Sequence, residues 1–131
     1  MKSRLLDAAS EAMMHAYAPY SRFQVGAAVL TGDGEIHLGC NVENASYGLT
    51  LCAERSAVCN AISASKVKPQ GKIKITALAV VNAAEQPCSP CGACRQFIAE
   101  FASDDTIIFY QGPTGITQMT MQQLLPDCFS F

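Results

Sequence analysis

Apolar and polar residues recur along this chain at helical and strand periods that alternate with polar turns. Residues 4–16 set Leu5, Leu6, Ala9, Met13 and Ala16 at helical intervals, which predicts an amphipathic opening helix. That helix should stop before Tyr17-Ala18-Pro19-Tyr20-Ser21, because proline disfavours helix in the residue preceding it. Phe23–Leu30 is largely apolar, and the turn Thr31-Gly32-Asp33-Gly34 joins it to a second strand around Glu35–Cys40, so the pair reads as a β-hairpin. Residues 41–50 are polar or small and read as a loop. From Cys52 to Lys66 a helix is predicted, with Ala53, Ala57, Val58, Ala61 and Ile62 on one side. Lys72–Val81 alternates and then becomes wholly apolar over Ala77–Val81, as suits a central strand buried on both faces. A cysteine-rich loop follows, then a helix from Gly92 to Phe101, a β-branched and aromatic strand over Asp105–Tyr110, and a Gly112-Pro113-Thr114-Gly115 turn. A last strand, Ile116–Met121, and a short helical turn, Met121–Leu125, precede Pro126. The order α-β-β-α-β-α-β-β predicts one mixed sheet with helices packed on it.

The chain has 131 residues and a mass of 13.9 kDa, the size of one compact domain. Half of its residues are hydrophobic (50%) and only 15% are charged, which excludes a disordered solvating segment. A net charge of −2 with no run of Lys or Arg argues against a dedicated nucleic-acid binder, whose affinity rests on phosphate neutralisation. No apolar stretch approaches the roughly 18 residues of a membrane span. Met1-Lys2-Ser3-Arg4 leads into no signal-peptide core, so a cytosolic location is expected. A small domain with so few charges is also expected to hide part of its surface in an oligomer.

The seven cysteines are Cys40, Cys52, Cys59, Cys88, Cys91, Cys94 and Cys128. An odd number in a chain without a secretory signal argues for metal binding or chemistry rather than a disulfide framework. Cys88-Ser89-Pro90-Cys91-Gly92-Ala93-Cys94 contains two overlapping C-x-x-C units, the spacing used by tetrahedral zinc sites, but two ligands do not hold zinc. Cys52 opens one predicted helix, and Cys91 and Cys94 open the next. Helix N-termini carry unpaired N–H groups and partial positive charge, which favour thiolate. Three thiolates at adjacent helix starts would occupy three corners of a tetrahedron and leave the fourth open, the pattern of a catalytic zinc. Glu54, two residues after Cys52, is placed to take a proton from zinc-bound water and pass it to a substrate without ligating the metal. On spacing alone, Cys88 with Cys91 is an alternative ligand couple that would leave Cys94 idle. Buried thiols, a structural zinc site and a helix-dipole role for Glu54 are the plainer readings of these residues.

The combination Cys52-Ala53-Glu54…Pro90-Cys91-Gly92-Ala93-Cys94 matches the known signature of zinc nucleobase deaminases, a His or Cys, any residue and Glu, followed by P-C-x-x-C. Around it the chain resembles the cytidine deaminase family, specifically its small homotetrameric type with three cysteine ligands. The resemblance runs from Ala16-Tyr17-Ala18-Pro19-Tyr20-Ser21-Arg22-Phe23-Gln24-Val25-Gly26-Ala27 through Gly39-Cys40-Asn41-Val42-Glu43-Asn44-Ala45, Cys52-Ala53-Glu54-Arg55 and Ser89-Pro90-Cys91-Gly92-Ala93-Cys94-Arg95-Gln96 to Leu124-Leu125-Pro126. It implies a three-layer α/β/α fold with a mixed five-stranded sheet, as one domain over residues 1–131. It also implies hydrolysis of the 4-amino group of cytidine and 2′-deoxycytidine, in pyrimidine salvage, with zinc-bound hydroxide attacking C4 of the base.

Carried over residue by residue, the resemblance implies one zinc per chain on Cys52, Cys91 and Cys94, with Glu54 as proton shuttle. Phe23 would lie against the nucleoside, Asn41 and Glu43 would hold the ribose hydroxyls, and Ala53 would join the substrate contacts. Ala45 and Tyr47 would come from one neighbouring subunit and Phe129 from another, so each site would be shared. Three thiolates on Zn²⁺ leave a negative centre, and a cation donating to the sulfurs would restore the acidity of the bound water. The resemblance gives that duty to Arg55, with Arg95 as a second candidate. The remaining cysteines Cys40, Cys59 and Cys128 read as spectator thiols, and His15 and His37 as surface or packing residues. Two readings compete with a nucleoside deaminase. A deaminase of another small substrate or of a polynucleotide would share the zinc core but not the Phe23…Asn41-x-Glu43 set. A non-catalytic zinc module would make no use of Glu54.

Overall fold

The computed structural model describes residues 1–66 and 72–129. Helix α1 (Lys2–Met13) leads to the hairpin β1 (Val25–Thr31) and β2 (Ile36–Cys40), then to a single 3-10 turn (Tyr47–Leu49) and α2 (Ala53–Ala64). Strand β3 (Ile75–Asn82), α3 (Gly92–Ala99), β4 (Ala102–Gly112), β5 (Gly115–Thr120) and the short α4 (Met121–Leu124) complete the chain order. The five strands form one sheet in the order β2-β1-β3-β4-β5, with β3 and β4 parallel and the other neighbours antiparallel. One face of the sheet carries α1 over Ala28, Ala77, Ala79, Val81 and Phe109, while α2, α3 and α4 cover the other over Ala27, Val29, Leu78, Val80 and Ile108. The expected three-layer α/β/α fold with a mixed five-stranded sheet is therefore present. No helix among the described residues is long and apolar enough to cross a membrane.

Several boundaries differ from the periodicity, each for a local reason. α1 ends at Met13, short of Ala16, because Tyr17 is drawn into an extended bridge with Val42, its N–H donating to the Asn41 carbonyl at 3.0 Å. Residues 72–74 lie outside the central strand, which begins at Ile75. β4 starts three residues earlier than its apolar run, at Ala102, because Ser103, Asp104 and Asp105 face solvent and hide the strand period. The register slips between Ile75 and Ala77, and buried Thr106 bridges that irregularity by donating from Oγ1 to the Ile75 carbonyl at 2.7 Å.

Small residues bring the helices close. An added Cβ at Gly39 of β2 would lie 2.2 Å from the Ala57 nitrogen and 2.7 Å from the Ala53 carbonyl oxygen. Helix α2 thus rests directly on the backbone of β2 at a contact only glycine permits. This contact sets the height at which the start of α2, with Cys52 and Glu54, stands beside the sheet. Because the colliding atoms are backbone rather than a flexible side chain, Gly39→Ala should cost about 1–3 kcal/mol or more. Thermal unfolding is expected to show a Tm several degrees lower in that variant.

Candidate active site

Two helix starts converge at one edge of the sheet. Cys52 is the N-cap of α2 and Cys91 the N-cap of α3, both with extended backbone (φ −74°, ψ 154° and φ −67°, ψ 164°). Neither side chain caps its own helix, so both thiols are free to turn toward a shared centre. Cys94, in the first turn of α3, is fully buried behind them. The three Sγ atoms lie within 4.8 Å of one another. A tetrahedral zinc with bonds of about 2.3 Å needs sulfurs about 3.8 Å apart, so the trio fits the ion with small side-chain adjustments. Arg55 Nη2 donates to Cys52 Sγ at 3.4 Å and to the Thr50 carbonyl at 3.5 Å. The Cys94 thiol donating to Cys52, together with Arg55, holds the Cys52 thiol down to about 5, so the soft anionic donor that zinc requires is already favoured.

Glu54 follows Cys52 into the first helical turn and is only 5% exposed. Burial pushes its carboxyl up to about 7, and the neighbouring Cys52 thiolate pushes the same way. A carboxyl poised near neutrality can both take up and release a proton.

These groups open onto a cavity of about 280 Å³ at the carboxyl ends of β2 and β3, lined in part by Phe23, Asn41, Glu43, Cys52, Ala53, Glu54 and Cys91. Asn41 is buried and clips the start of β1: its Nδ2 donates to the Phe23 carbonyl at 2.8 Å, and its Oδ1 accepts the Val25 N–H at 2.9 Å. Glu43 Oε1 accepts the N–H groups of Tyr20 and Ser21 at 2.9 and 3.1 Å, and the Ser21 hydroxyl donates to Oε2. The Ser21 hydroxyl and these two amides hold the Glu43 carboxyl below the usual carboxylate range. A larger hollow of about 460 Å³ lies at the far end of α2, among Thr31, Lys66 and Lys74. It contains none of the thiols or Glu54, so chemistry rather than volume locates the site.

A family model described as the cytidine and deoxycytidylate deaminase zinc-binding region matches residues 1–111. This chain belongs to that deaminase family. A cytidine deaminase of Halalkalibacterium halodurans is 45% identical over 130 residues, spanning 98% of this chain and 94% of the relative. One from Sporosarcina psychrophila is 45% identical over 128 residues, spanning 97% and 90%. The crystal structure of cytidine deaminase from Burkholderia pseudomallei superposes with a TM-score of 0.85 at 42% identity, covering 98% of this chain and 99% of that one. The Mycobacterium tuberculosis cytidine deaminase structure gives 0.82 at 41% identity, covering 99% and 98%. Zinc is the cofactor of this deaminase chain, and Cys52, Cys91 and Cys94 are the cluster that fits it.

Not every residue singled out for the deaminase site lies in this cavity. Ala45 and Tyr47 are exposed on the loop before α2, with Tyr47 edge-on to Tyr20 at 6.3 Å between ring centres. Phe129 is 67% exposed, and its carbonyl accepts from Gln96 Nε2 at 3.3 Å. None of the three is among the described residues lining the cavity of its own chain. Arg95 requires a correction, since it donates to the carbonyls of Pro90 (2.7 Å) and Leu124 (2.8 Å) and to Ser89 Oγ (3.1 Å) rather than to a sulfur. It braces the cysteine loop against the end of α4.

Ser21 and Asn82 are among the cavity residues that the sequence did not single out. Ser21 offers no signal beyond its place before Phe23. Buried Asn82 ends an otherwise apolar strand, which is a detectable mark; it holds the following turn by donating Nδ2 to the Gln86 carbonyl at 2.8 Å and accepting the Gln86 N–H at 3.0 Å. Cys88 also lines the cavity, with its N–H donating to the Gln111 carbonyl at 2.8 Å, but it stands outside the three-thiol cluster. Cys88→Ser is therefore expected to retain one zinc per chain by metal analysis, whereas Cys94→Ser should lose it. The reverse pattern would make Cys88 the ligand.

Proposed function

We propose that this chain hydrolyses cytidine and 2′-deoxycytidine to uridine and 2′-deoxyuridine, with one water consumed and one ammonia released per turnover. The observation that carries this reading is the buried Glu54 carboxyl, titrating near neutrality, in the same cavity as a three-thiol cluster suited to zinc. Zinc held by Cys52, Cys91 and Cys94 would lower the pKa of a water and so supply the nucleophile for C4 of the base. Glu54 carries one proton of the attacking water to N3 of the ring and the other, taken from the hydroxyl newly formed at C4, to the 4-amino nitrogen, which leaves as ammonia while the C4 carbonyl forms. Arg55, donating to Cys52 Sγ, draws negative charge from the thiolates, which would favour the acidity that zinc confers on a water. Phe23 lies against the nucleoside, and Ala53 walls the cavity beside Glu54. Asn41 and Glu43 receive a ribose hydroxyl, because after their bonds to residues 20–25 each still has hydrogen-bonding capacity to spare. A ligand without that hydroxyl would leave this spare capacity unmatched against the bound sugar.

The wild-type protein mixed with cytidine should show a fall in the cytosine ultraviolet band. Glu54→Ala should reduce turnover by about 10²–10⁴-fold, the usual contribution of a positioned acid–base group, while retaining zinc. Zinc-loaded wild type inert toward both nucleosides would transfer the reading to another small amino-substituted substrate.

We further propose that the chain acts as a single domain over residues 1–131, in the cytosol within pyrimidine salvage, as a homotetramer with shared sites. The shared site is supported by the exposure of Ala45, Tyr47 and Phe129 outside their own cavity. The exposed apolar Tyr17, Tyr20, Val42, Leu49 and Leu51 around the same loop also favour a covered surface. Phe129→Ala should raise KM about tenfold, the worth of one aromatic stacked on a base. If Phe129 acts on a neighbour's site, reassembling this variant with Glu54→Ala subunits should create sites with near-normal KM. The absence of such sites from mixed oligomers would place Phe129 in its own subunit's site or outside all of them.

A further inference from the structure

We infer that Ser21 is a positioning residue for sugar recognition: its hydroxyl accepts the Phe23 N–H and donates to Glu43, locking the backbone that carries the aromatic wall to the carboxylate that meets the substrate. This inference rests on the proposed nucleoside deamination. Ser21 lines the cavity beside both residues. Its Oγ lies 3.0 Å from the Phe23 nitrogen, and its hydrogen points to Glu43 Oε2. The direction of each bond is forced. An ionised carboxylate has no proton to give, so the serine hydrogen goes to Glu43, and the backbone N–H can only donate, so Oγ accepts from Phe23.

The intervening residue explains why a clamp is needed. Arg22 has φ 58°, a left-handed conformation costly for a side chain of that size, and its N–H donates to the Ala18 carbonyl at 2.9 Å. Such a turn persists only where its surroundings over-determine it. Ser21 spans Arg22 from its N-terminal side to the next residue, while Glu43 holds the Tyr20 and Ser21 amides directly.

Glu43 Oε1 is filled by two backbone N–H groups, and Oε2 has one position left once Ser21 occupies the other. Ser21 therefore leaves one directed acceptor for a ligand hydroxyl. Without its hydroxyl, Oε2 would have two undirected positions and the Phe23 N–H would have lost its acceptor.

The test compares kcat and KM for cytidine with those for 2′,3′-dideoxycytidine, which has no secondary sugar hydroxyl to offer Glu43. Ser21→Ala is expected to raise KM for cytidine about tenfold, with kcat within about twofold, consistent with losing direction at one charged hydrogen bond. The dideoxynucleoside should be affected less than about twofold, and Ser21→Thr, which keeps the hydroxyl, should restore cytidine KM. Equal losses for both substrates would reduce Ser21 to a scaffold residue and overturn the inference. A second readout does not depend on turnover. The Glu43 carboxyl, followed by NMR titration, should titrate higher in Ser21→Ala than in wild type and return in Ser21→Thr. An unmoved titration would overturn the clamp. Wild type inert toward cytidine would defeat the functional reading, while the titration would still decide the clamp.

Discussion

Three sulfurs from two separate helix starts can meet only if both helices begin at the same end of the sheet, on the same face and at the same height. Helix α3 meets this condition through the β3–α3–β4 crossover between parallel strands, which returns the chain over the face already occupied by α2. Helix α2 meets it through Gly39, where two backbones touch without an intervening side chain. The alanines at positions 27, 53 and 57 keep the layer between α2 and the sheet thin. The small size of these residues, as much as their hydrophobicity, brings Cys52 within reach of Cys91 and Cys94.

The same convergence sets the electrostatics. Two helix N-termini supply positive partial charge to a pocket that must hold anionic sulfur, and Arg55 adds a full charge at Cys52. Glu54 is carried into this environment because it sits in the first turn of the same helix. Its carboxyl is raised by the burial that α2 acquires in packing against the sheet. Metal-ligand chemistry and proton-transfer chemistry are therefore consequences of one packing arrangement. On the opposite wall of the cavity the polar groups are tuned differently. Asn41 and Glu43 each spend two hydrogen bonds on the backbone of residues 20–25, which ties that wall together and leaves few, directed positions for a ligand.

Peripheral support is distributed along the chain. Arg95 ties the Ser89-Pro90 segment to the last helix, and Asn82 with Gln111 secures the end of the central strand where the cysteine loop begins. These bonds join segments distant in sequence, so they stabilise the edge on which the cavity opens rather than any single element. The exposed aromatic and aliphatic residues around the 3-10 turn lie on this edge too. This exposed apolar surface therefore borders the chemistry.

Much was legible before folding because it is local. A period of 3.6 or 2 marks each main element, and cysteines at helix starts with a glutamate two residues on carry their chemistry in their spacing. Periodicity failed where polar residues occupy a strand, as at Ser103–Asp105, and where a long-range bridge cut α1 short at Tyr17. The sequence alone determined the element types and, through family resemblance, the candidate ligand residues and the reaction class, since these are carried by side-chain identity within short motifs. Tertiary structure decided the brace formed by Arg95, the role open to Ser21, and the exposure of Ala45, Tyr47 and Phe129 outside their own cavity. Each of these depends on distances between segments tens of residues apart, and such distances exist only once the backbone has closed around its core.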